Sequence, residues 1–511
     1  MKSLRTLPYA ISRTALALIA ILLTGIVFLL NVFYHAAVEY NAGEKVVFTD
    51  HLVPSLVMIA LFAVLFLLLA RFGHLIPLHR IRERHVFLAF AILSSVAALY
   101  FILNSSSQIR ADAGLVSWVA HVYKDKDFSD FLKGGYIHRY PHQLGLVLYD
   151  RLLYAFADNV LIHFFTNFLL TLGINFFGWR IANRLFANHT VNLLTIACSF
   201  LFLPQFYFIL FAYGLIPGLF CLMGAIYAAL CYSRGGKWYQ LAALTLAVAA
   251  AVCLKQNYLI GGIAILLYFI LQMFRGFQHR QWMAMVAIVL AMIFPSKWII
   301  AGFEKDTGTT LDQGCPTVLW IAMGTDMDSW SRAPGWYNDY NYVTYDAADH
   351  NTETAAKLGN AKLKENLAEM KADPRRALEF FRLKTVSQWC EPMFGSVWTG
   401  PLEDCGQVNS TKYLKSLQTG GKAEDRAETF MTFLTLVLWG AALWFLIRHS
   451  RTVDGWEMPF LFFIGGFLFH LMWEGKSQYI YPYLFVLIPC CMAALYYAAR
   501  SLNRLMRKKK A

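Results

Sequence analysis

The sequence predicts an all-α membrane protein with about twelve transmembrane helices, interfacial helices in the first large outer loop and a small extracytoplasmic cap. Composition points that way first: of 511 residues, 58% are hydrophobic and 15% charged, at mean hydropathy +0.46, whereas a soluble domain carries about 25% charged residues. Several apolar runs exceed the roughly 18 residues needed to span a ~30 Å hydrocarbon core. Basic residues also fall in alternate links between these runs, as the positive-inside rule requires.

The expected spans lie near 14–34, 52–70, 86–104, 160–179, 190–204, 207–232, 238–254, 258–274, 281–300, 429–447, 457–473 and 479–499. The first, from Thr14 to Tyr34, is long for a secretory signal core and has no small-residue cleavage site after it, so it reads as a retained helix. Four regions follow. Residues 1–85 hold two N-terminal helices, 86–300 a membrane core with the outer loop 105–159, 301–428 a cap segment, and 429–511 the last helices with a basic tail.

Lys2, Arg5 and Arg13 precede the first span, and Arg71, Arg80, Arg82 and Arg84 follow the second. Later even-numbered links carry Arg180 with Arg184, Arg234 with Lys237, Arg275 with Arg280, and Arg448 with Arg451, before the terminal Arg504, Arg507, Lys508, Lys509 and Lys510. With twelve spans all of these lie on one face, which puts both termini in the cytoplasm. The net charge of +13 is then topology plus contact with anionic membrane lipids, and nucleic acid is not needed as a partner. The other face receives 35–51, 105–159, a tight turn near Pro204, Lys255–Asn257, 301–428 and Trp473–Gln478.

Within 301–428, Ala355, Leu358, Leu363, Leu367 and Met370 give an approximately helical spacing, and Asp373-Pro374 starts a second soluble helix. The flanks are rich in tryptophan (Trp320, Trp330, Trp336, Trp389, Trp398), as suits a small cap on a membrane surface. Cys390 and Cys405 are close enough in sequence to bridge, with Cys315 as a competing partner and a free thiol as the alternative. Cys198, Cys221, Cys231, Cys253, Cys490 and Cys491 lie in apolar runs and read as core or lipid-facing residues.

Candidate chemistry gathers on the outer face. Asp112 follows the third span at the membrane boundary, ahead of an amphipathic stretch with Leu115, Trp118, Val119 and Val122. A carboxylate there could act as general base, and its bland reading is an acid favoured at a helix N-terminus. The acid pairs Asp125/Asp127 and Asp326/Asp328 have a spacing that could hold a divalent cation, but the interleaved Lys124 and Lys126 suggest a solvated turn. No metal or other cofactor is therefore expected. The string from Gly134 to Gly145 brings His138, Arg139, Tyr140, His142 and Gln143 together, donors suited to a sugar or phosphate or, more blandly, an interfacial anchor. Lys255, with Gln256 and Asn257, breaks two apolar spans, and a lysine at membrane depth marks an anion site unless it snorkels to water. Glu474, Lys476 and Tyr479 sit in the last outer link, where Glu474 and Lys476 could simply pair.

These features resemble the polytopic GT-C glycosyltransferases, the class that includes protein O-mannosyltransferases and aminoarabinose transferases acting on lipid A. The likeness rests on the long first outer loop beginning with Asp112, on YIHRYPHQLG (residues 136–145) with His142 where asparagine is frequent, on Lys255-Gln256-Asn257, and on WEGKSQYIYPY (residues 473–483); it covers roughly residues 86–500. It implies a polyprenyl-phosphate-linked sugar donor, an extracytoplasmic glycan, lipid or protein acceptor, inversion at the anomeric carbon and Asp112 as base. Arg139 and Lys255, with Lys476 as a third candidate, would stabilise the phosphate leaving group. Two other readings stand beside it: a polysaccharide polymerase or ligase using a lipid-diphosphate donor, which would draw on Arg139, His138 and His142, and a transporter or flippase. The second would need charges and broken helices near the midplane of several spans, which here are nearly free of charge.

Overall fold

A computed structural model describes residues 7–39, 43–73, 77–276, 278–328, 332–401 and 410–508. Lys2, Arg5, Trp330, Lys509 and Lys510 lie outside the described residues, as does Cys405, and with it the pairing expected for the buried Cys390. The chain is almost entirely helical. Helix α1 (Leu7–Phe33) runs into a hairpin of β1 (Tyr34–Glu39) and β2 (Lys45–Asp50), followed by α2 (Leu52–Phe72) and α3 (Glu83–Asn104). The outer loop holds α4 (Ala111–Val122) and α5 (Leu144–Phe156), joined by short helical turns. The middle of the chain is α6 (Leu161–Phe186), α7 (His189–Leu201), α8 (Leu215–Gly235), α9 (Trp238–Leu254), α10 (Leu259–Arg275) and α11 (His279–Thr307). The cap comprises α12 (Val318–Gly324), α13 (Tyr340–Ala347), α14 (Thr352–Ala372), α15 (Pro374–Trp389) and α16 (Lys412–Gln418); α17 (Lys422–His449), α18 (Glu457–Met472) and α19 (Tyr481–Lys508) close the chain.

Among the described residues, nine helices are long and apolar enough to cross a membrane: α1, α2, α3, α6, α8, α10 with its preceding turn, α11, α17 and α19. Helix α7 continues through a 52° bend into Leu203–Leu210, a tenth if the pair is one span. At 17 and 16 residues, α9 and α18 fall short of the ~20 that a bilayer asks for. The span expected at 207–232 starts only at Leu215. Pro204, without an amide hydrogen, breaks the helix after Leu201, and residues 203–210 belong to the bent element before it. The surface also calls for an apolar solvent. Helix α2 buries only Ser55 and Ala70, while Val57 is 64% and Leu61 53% exposed; a helix apolar all round and uncovered by its own chain calls for lipid against it.

The outer link 35–51, in a chain expected to be all-α, forms an antiparallel hairpin, with Tyr34 opposite Asp50 and Glu39 opposite Lys45. Its free edges are covered, since Ala36 N donates to Cys390 O (3.1 Å) and Val46 N to Arg332 O (3.0 Å). The cap has the two expected soluble helices. Asn351 caps α14 through Thr354 N (2.8 Å), and Asp373 caps α15 through Arg376 N (3.0 Å), with Pro374 at its first position. The packed face of α14 keeps Ala355 from the expected row, with Leu363 and Met370 half-buried, but adds Gly359 and Asn366 and leaves Leu358 and Leu367 44% and 48% exposed. Close packing on α12 selects small residues, and the Asn366 amide donates to Ala322 O (2.8 Å).

Contacts between links sort them onto two ends. At one end Arg13 and Arg275 both reach Asp454 (3.2 and 2.9 Å), Arg234 donates to Arg184 O (2.7 Å), and His189 lies 2.7 Å from Glu83. At the other end the hairpin, the 105–159 loop, the cap and the α18–α19 link meet. The cap is fastened there by Lys384, fully buried, which donates to the carbonyls of Gly324, Leu471 (3.0 Å) and Trp473 (2.7 Å). Gly475 N adds a bond to Gly335 O (2.7 Å), and Trp320 stacks on Trp473 with centroids 5.7 Å apart.

Lys384→Met is expected to leave the buried Gly324 carbonyl and the part-buried Leu471 and Trp473 carbonyls without that donor and weaken cap docking by roughly 2 kcal/mol or more. Limited proteolysis would report it as faster cleavage within residues 308–421, and cleavage at the wild-type rate would show that Lys384 does not fasten the cap.

Candidate functional site

Lys255 is presented by a break between α9 and α10 that two glycines make room for. Gly145, at the start of α5, faces the Cys253 carbonyl so closely that an added Cβ would sit 2.1 Å from its oxygen. At Gly214, just before α8, an added Cβ would lie 1.9 Å from Leu254 O and 3.2 Å from the Lys255 Cβ. The outer loop and α8 therefore close directly on the end of α9. The Lys255 Nζ rests 4.5 Å from the centre of the Tyr213 ring and 5.4 Å from that of Tyr479. Gln143 Nε2 donates to the Tyr213 hydroxyl (2.5 Å), and Tyr258 OH to Leu215 O (2.6 Å), which pins the turn carrying the half-buried Asn257.

Asp112 opens α4, next to Ala111, whose φ of +53° is a left-handed backbone rarely taken by alanine. On its other side Arg110 stacks over Trp398 (4.2 Å to the ring centre) and hydrogen-bonds the Trp398 carbonyl. Trp398 also lies under the Lys476 Nζ, at 4.9 Å. That ammonium is 2.5 Å from Glu44, a hairpin-turn residue that is 2% exposed and itself left-handed, with φ +71°. Arg332 from the cap takes the other Glu44 oxygen at 2.9 Å. Helix α4 packs through Ala113, Val116, Ser117, Val119 and Ala120 and leaves Leu115 and Trp118 exposed. Val119 therefore belongs to the protein core and not to the expected membrane-facing stripe.

The electrostatics follow from this crowding. Asp112 keeps access to solvent, yet the surrounding protein is deep enough that loss of hydration raises its pKa; Lys476 and then Lys255 oppose the rise, and Glu44 adds to it. His142 is likewise solvent-accessible and deep, its pKa pushed down to about 4 by burial and by Lys255. Burial brings Lys255 down to about 8, helped by Lys476 and resisted by Asp112 and Glu474. Glu474, buried, is pushed up to about 7, with Lys476 pulling it back.

Of the residues singled out in the sequence, Asp112, Lys255, Glu474 and Lys476 thus come within electrostatic range of one another. Tyr479 supports Lys255, Gln143 holds Tyr213, and Tyr140 packs on His142 (6.1 Å between centroids) and on Trp320 (6.0 Å). Lys476 pairs with Glu44, and not with Glu474 as its bland reading had it. Arg139 turns to the cap, 4% exposed, where it pairs with Asp346 (2.8 Å) under the Tyr342 ring (3.8 Å). His138 goes with it, its ring 6.2 Å from that of His350. Asp127 accepts from Ser129 N (2.9 Å) and Asp328 pairs with Arg376, while Asp125 lies in the preceding turn, Tyr123–Asp125. Among the described residues, no three His, Cys, Asp or Glu side chains come together as a metal-binding group.

Three contributors had no motif to announce them. Glu44 sits in a short apparent link, Tyr213 in an apolar run, and Arg110 just ahead of Asp112. The short β-branched and aromatic run Val46-Val47-Phe48-Thr49 after Gly43 was the available signal for a hairpin, and so for a turn residue aimed at the outer surface. Comparison with protein-family models gives no match, and comparison with curated proteins gives none either.

Competitive amine labelling at graded pH is expected to find Lys255 half-reactive near about pH 8, far below an ordinary lysine. Asp112→Asn removes a charge that favours the ammonium and should lower that midpoint, whereas Lys476→Gln removes a repelling charge and should raise it. Midpoints unmoved by both substitutions would mean that Asp112, Lys255 and Lys476 do not lie within electrostatic reach of one another.

Proposed function

We propose that the protein is an integral-membrane glycosyltransferase of the GT-C type, moving a sugar from a polyprenyl-phosphate donor to an extracytoplasmic hydroxyl acceptor with inversion. The observation that carries this is the Asp112 carboxylate within electrostatic reach of Lys255 and Lys476, at the bundle end where Lys255 lies on Tyr213 and Tyr479 and Lys476 shares Trp398 with Arg110. In this reading the chain spans the bilayer twelve times, with both termini cytoplasmic and the Asp112 site outside. The bent α7 segment counts as one span, and α9 and α18 cross as short helices, accommodated by local thinning and snorkelling. Grouping of the arginine-bearing links at the end opposite Asp112 supports that orientation.

Asp112 accepts the proton of the acceptor hydroxyl as its oxygen attacks the anomeric carbon from the face opposite the phosphate. The new glycosidic bond forms as the carbon–oxygen bond to the phosphate breaks, and polyprenyl phosphate leaves with the electron pair. Lys255 and Lys476 offset the charge that develops on it. A base whose pKa is raised by burial is better matched to this step than a free carboxylate. Arg139, engaged by Asp346, takes no part in the donor grip, and the lysines carry that role. A lipid-diphosphate polymerase or ligase would draw on Arg139, His138 and His142, of which His142 alone lies beside Lys255.

Asp112→Asn is expected to reduce transfer from a labelled polyprenyl-phosphate sugar by roughly 10²–10⁴-fold with the protein still folded; undiminished transfer would remove Asp112 as base. Activity should rise with pH through an Asp112 pKa above the ordinary carboxylate value, then fall as Lys255 loses its proton near about pH 8. Lys255→Arg keeps the cation at all working pH and should abolish the alkaline fall. An unchanged profile in Lys255→Arg would detach Lys255 from the phosphate.

A further inference from the structure

At the end opposite Asp112, the last turns of α8 and α10 and the first turn of α11 wall a cavity of about 460 Å³, lined among others by Arg234, Arg275, Arg280, Gln272, Gln278 and Asp454. Helices α8 and α10 both start beside Lys255, so the cavity is one helix length, roughly 30 Å, from that lysine. Arginine near a helix C-terminus is expected for the helix dipole alone. Here, however, among the described residues the carboxylates at this end are already taken. Asp454 is shared by Arg13 (3.2 Å) and Arg275 (2.9 Å), and Glu457 is held by Arg13 (2.9 Å). Arg234 donates only to a backbone carbonyl, Arg184 O at 2.7 Å, and Arg280 only to Arg234 O at 3.5 Å, among the bonds of the described residues. The Arg280 Nε is buried with no hydrogen-bond partner among them.

Two guanidiniums without a carboxylate partner, at the mouth of a polar cavity flanked by amides, form a donor set that fits the oxygens of a phosphate ester. The cavity opens where two membrane-length helices end, the depth at which a bilayer places its headgroups, and basic pockets between helices at that depth take anionic lipids. We propose that this cavity binds the phosphate of an anionic lipid headgroup from the leaflet at the arginine-rich end, independently of the chemistry at the Asp112 site.

The test is native mass spectrometry of the purified, delipidated full-length protein with phosphatidylglycerol, with phosphatidylcholine, or with inorganic phosphate as competitor. The wild type is expected to retain phosphatidylglycerol over phosphatidylcholine by roughly tenfold. Arg234→Gln combined with Arg280→Gln should erase that preference, and Arg280→Gln alone carries the test if the double variant aggregates. Arg448→Gln removes an exposed charge from the same end without lining the cavity, and should keep the preference. Equal retention of both lipids by the wild type, an unchanged preference in the cavity variants, or an equal loss in Arg448→Gln would overturn the proposal. Displacement by inorganic phosphate at matching concentration would overturn the lipid assignment in favour of a soluble phosphate.

Discussion

Glu44 receives Lys476 at 2.5 Å and Arg332 at 2.9 Å while only 2% exposed, and that buried carboxylate ties together three segments far apart in the chain. A carboxylate taken out of water alone costs several kcal/mol, so the hairpin, the cap and the α18–α19 link are stable in this arrangement only together. The left-handed backbone at Glu44 is part of the same bargain: the turn adopts a strained conformation because two cations over-determine where its side chain lies. Lys384 does for the cap backbone what Glu44 does for its charges, taking three carbonyls from two elements at once.

Within that frame Asp112 and Lys255 act on each other's charge under opposing influences. Burial disfavours the charged form of each, and the opposite charge nearby restores part of it. The result is a carboxylate more basic and an ammonium more acidic than either would be in water. Lys476 works on both in the same sense, making Asp112 easier and Lys255 harder to ionise. Its own partner is Glu44, so the hairpin bears on the protonation of groups that it does not carry.

Much of the fold was legible from hydrophobicity and punctuation. Apolar runs located the helices because a bilayer tolerates little else, and Asn351 and Asp373-Pro374 marked the starts of α14 and α15 because capping is local chemistry. Where the reading failed, a longer-range term had won. The bend after Leu201 follows from Pro204, but the sequence does not show that the chain stays in that element through Leu210, so the next span starts only at Leu215. The buried face of α14 follows the need for close approach to α12, which leucine spacing does not encode.

The site divides along the same line. Asp112, Lys255, Glu474 and Lys476 could be picked out one by one, because ionisable residues at the ends of apolar runs are costly and conspicuous. Arg139 was as conspicuous and faces elsewhere, paired with Asp346 from a segment more than two hundred residues later. Glu44 was inconspicuous and turned out to neutralise Lys476. By itself the sequence determined which residues are polar in an apolar chain and at which helix ends they lie, since those follow from solvation and from period along one segment. Only the tertiary structure decided which of them meet, because a buried charge takes its partner from whichever distant segment packing brings within about 3 Å.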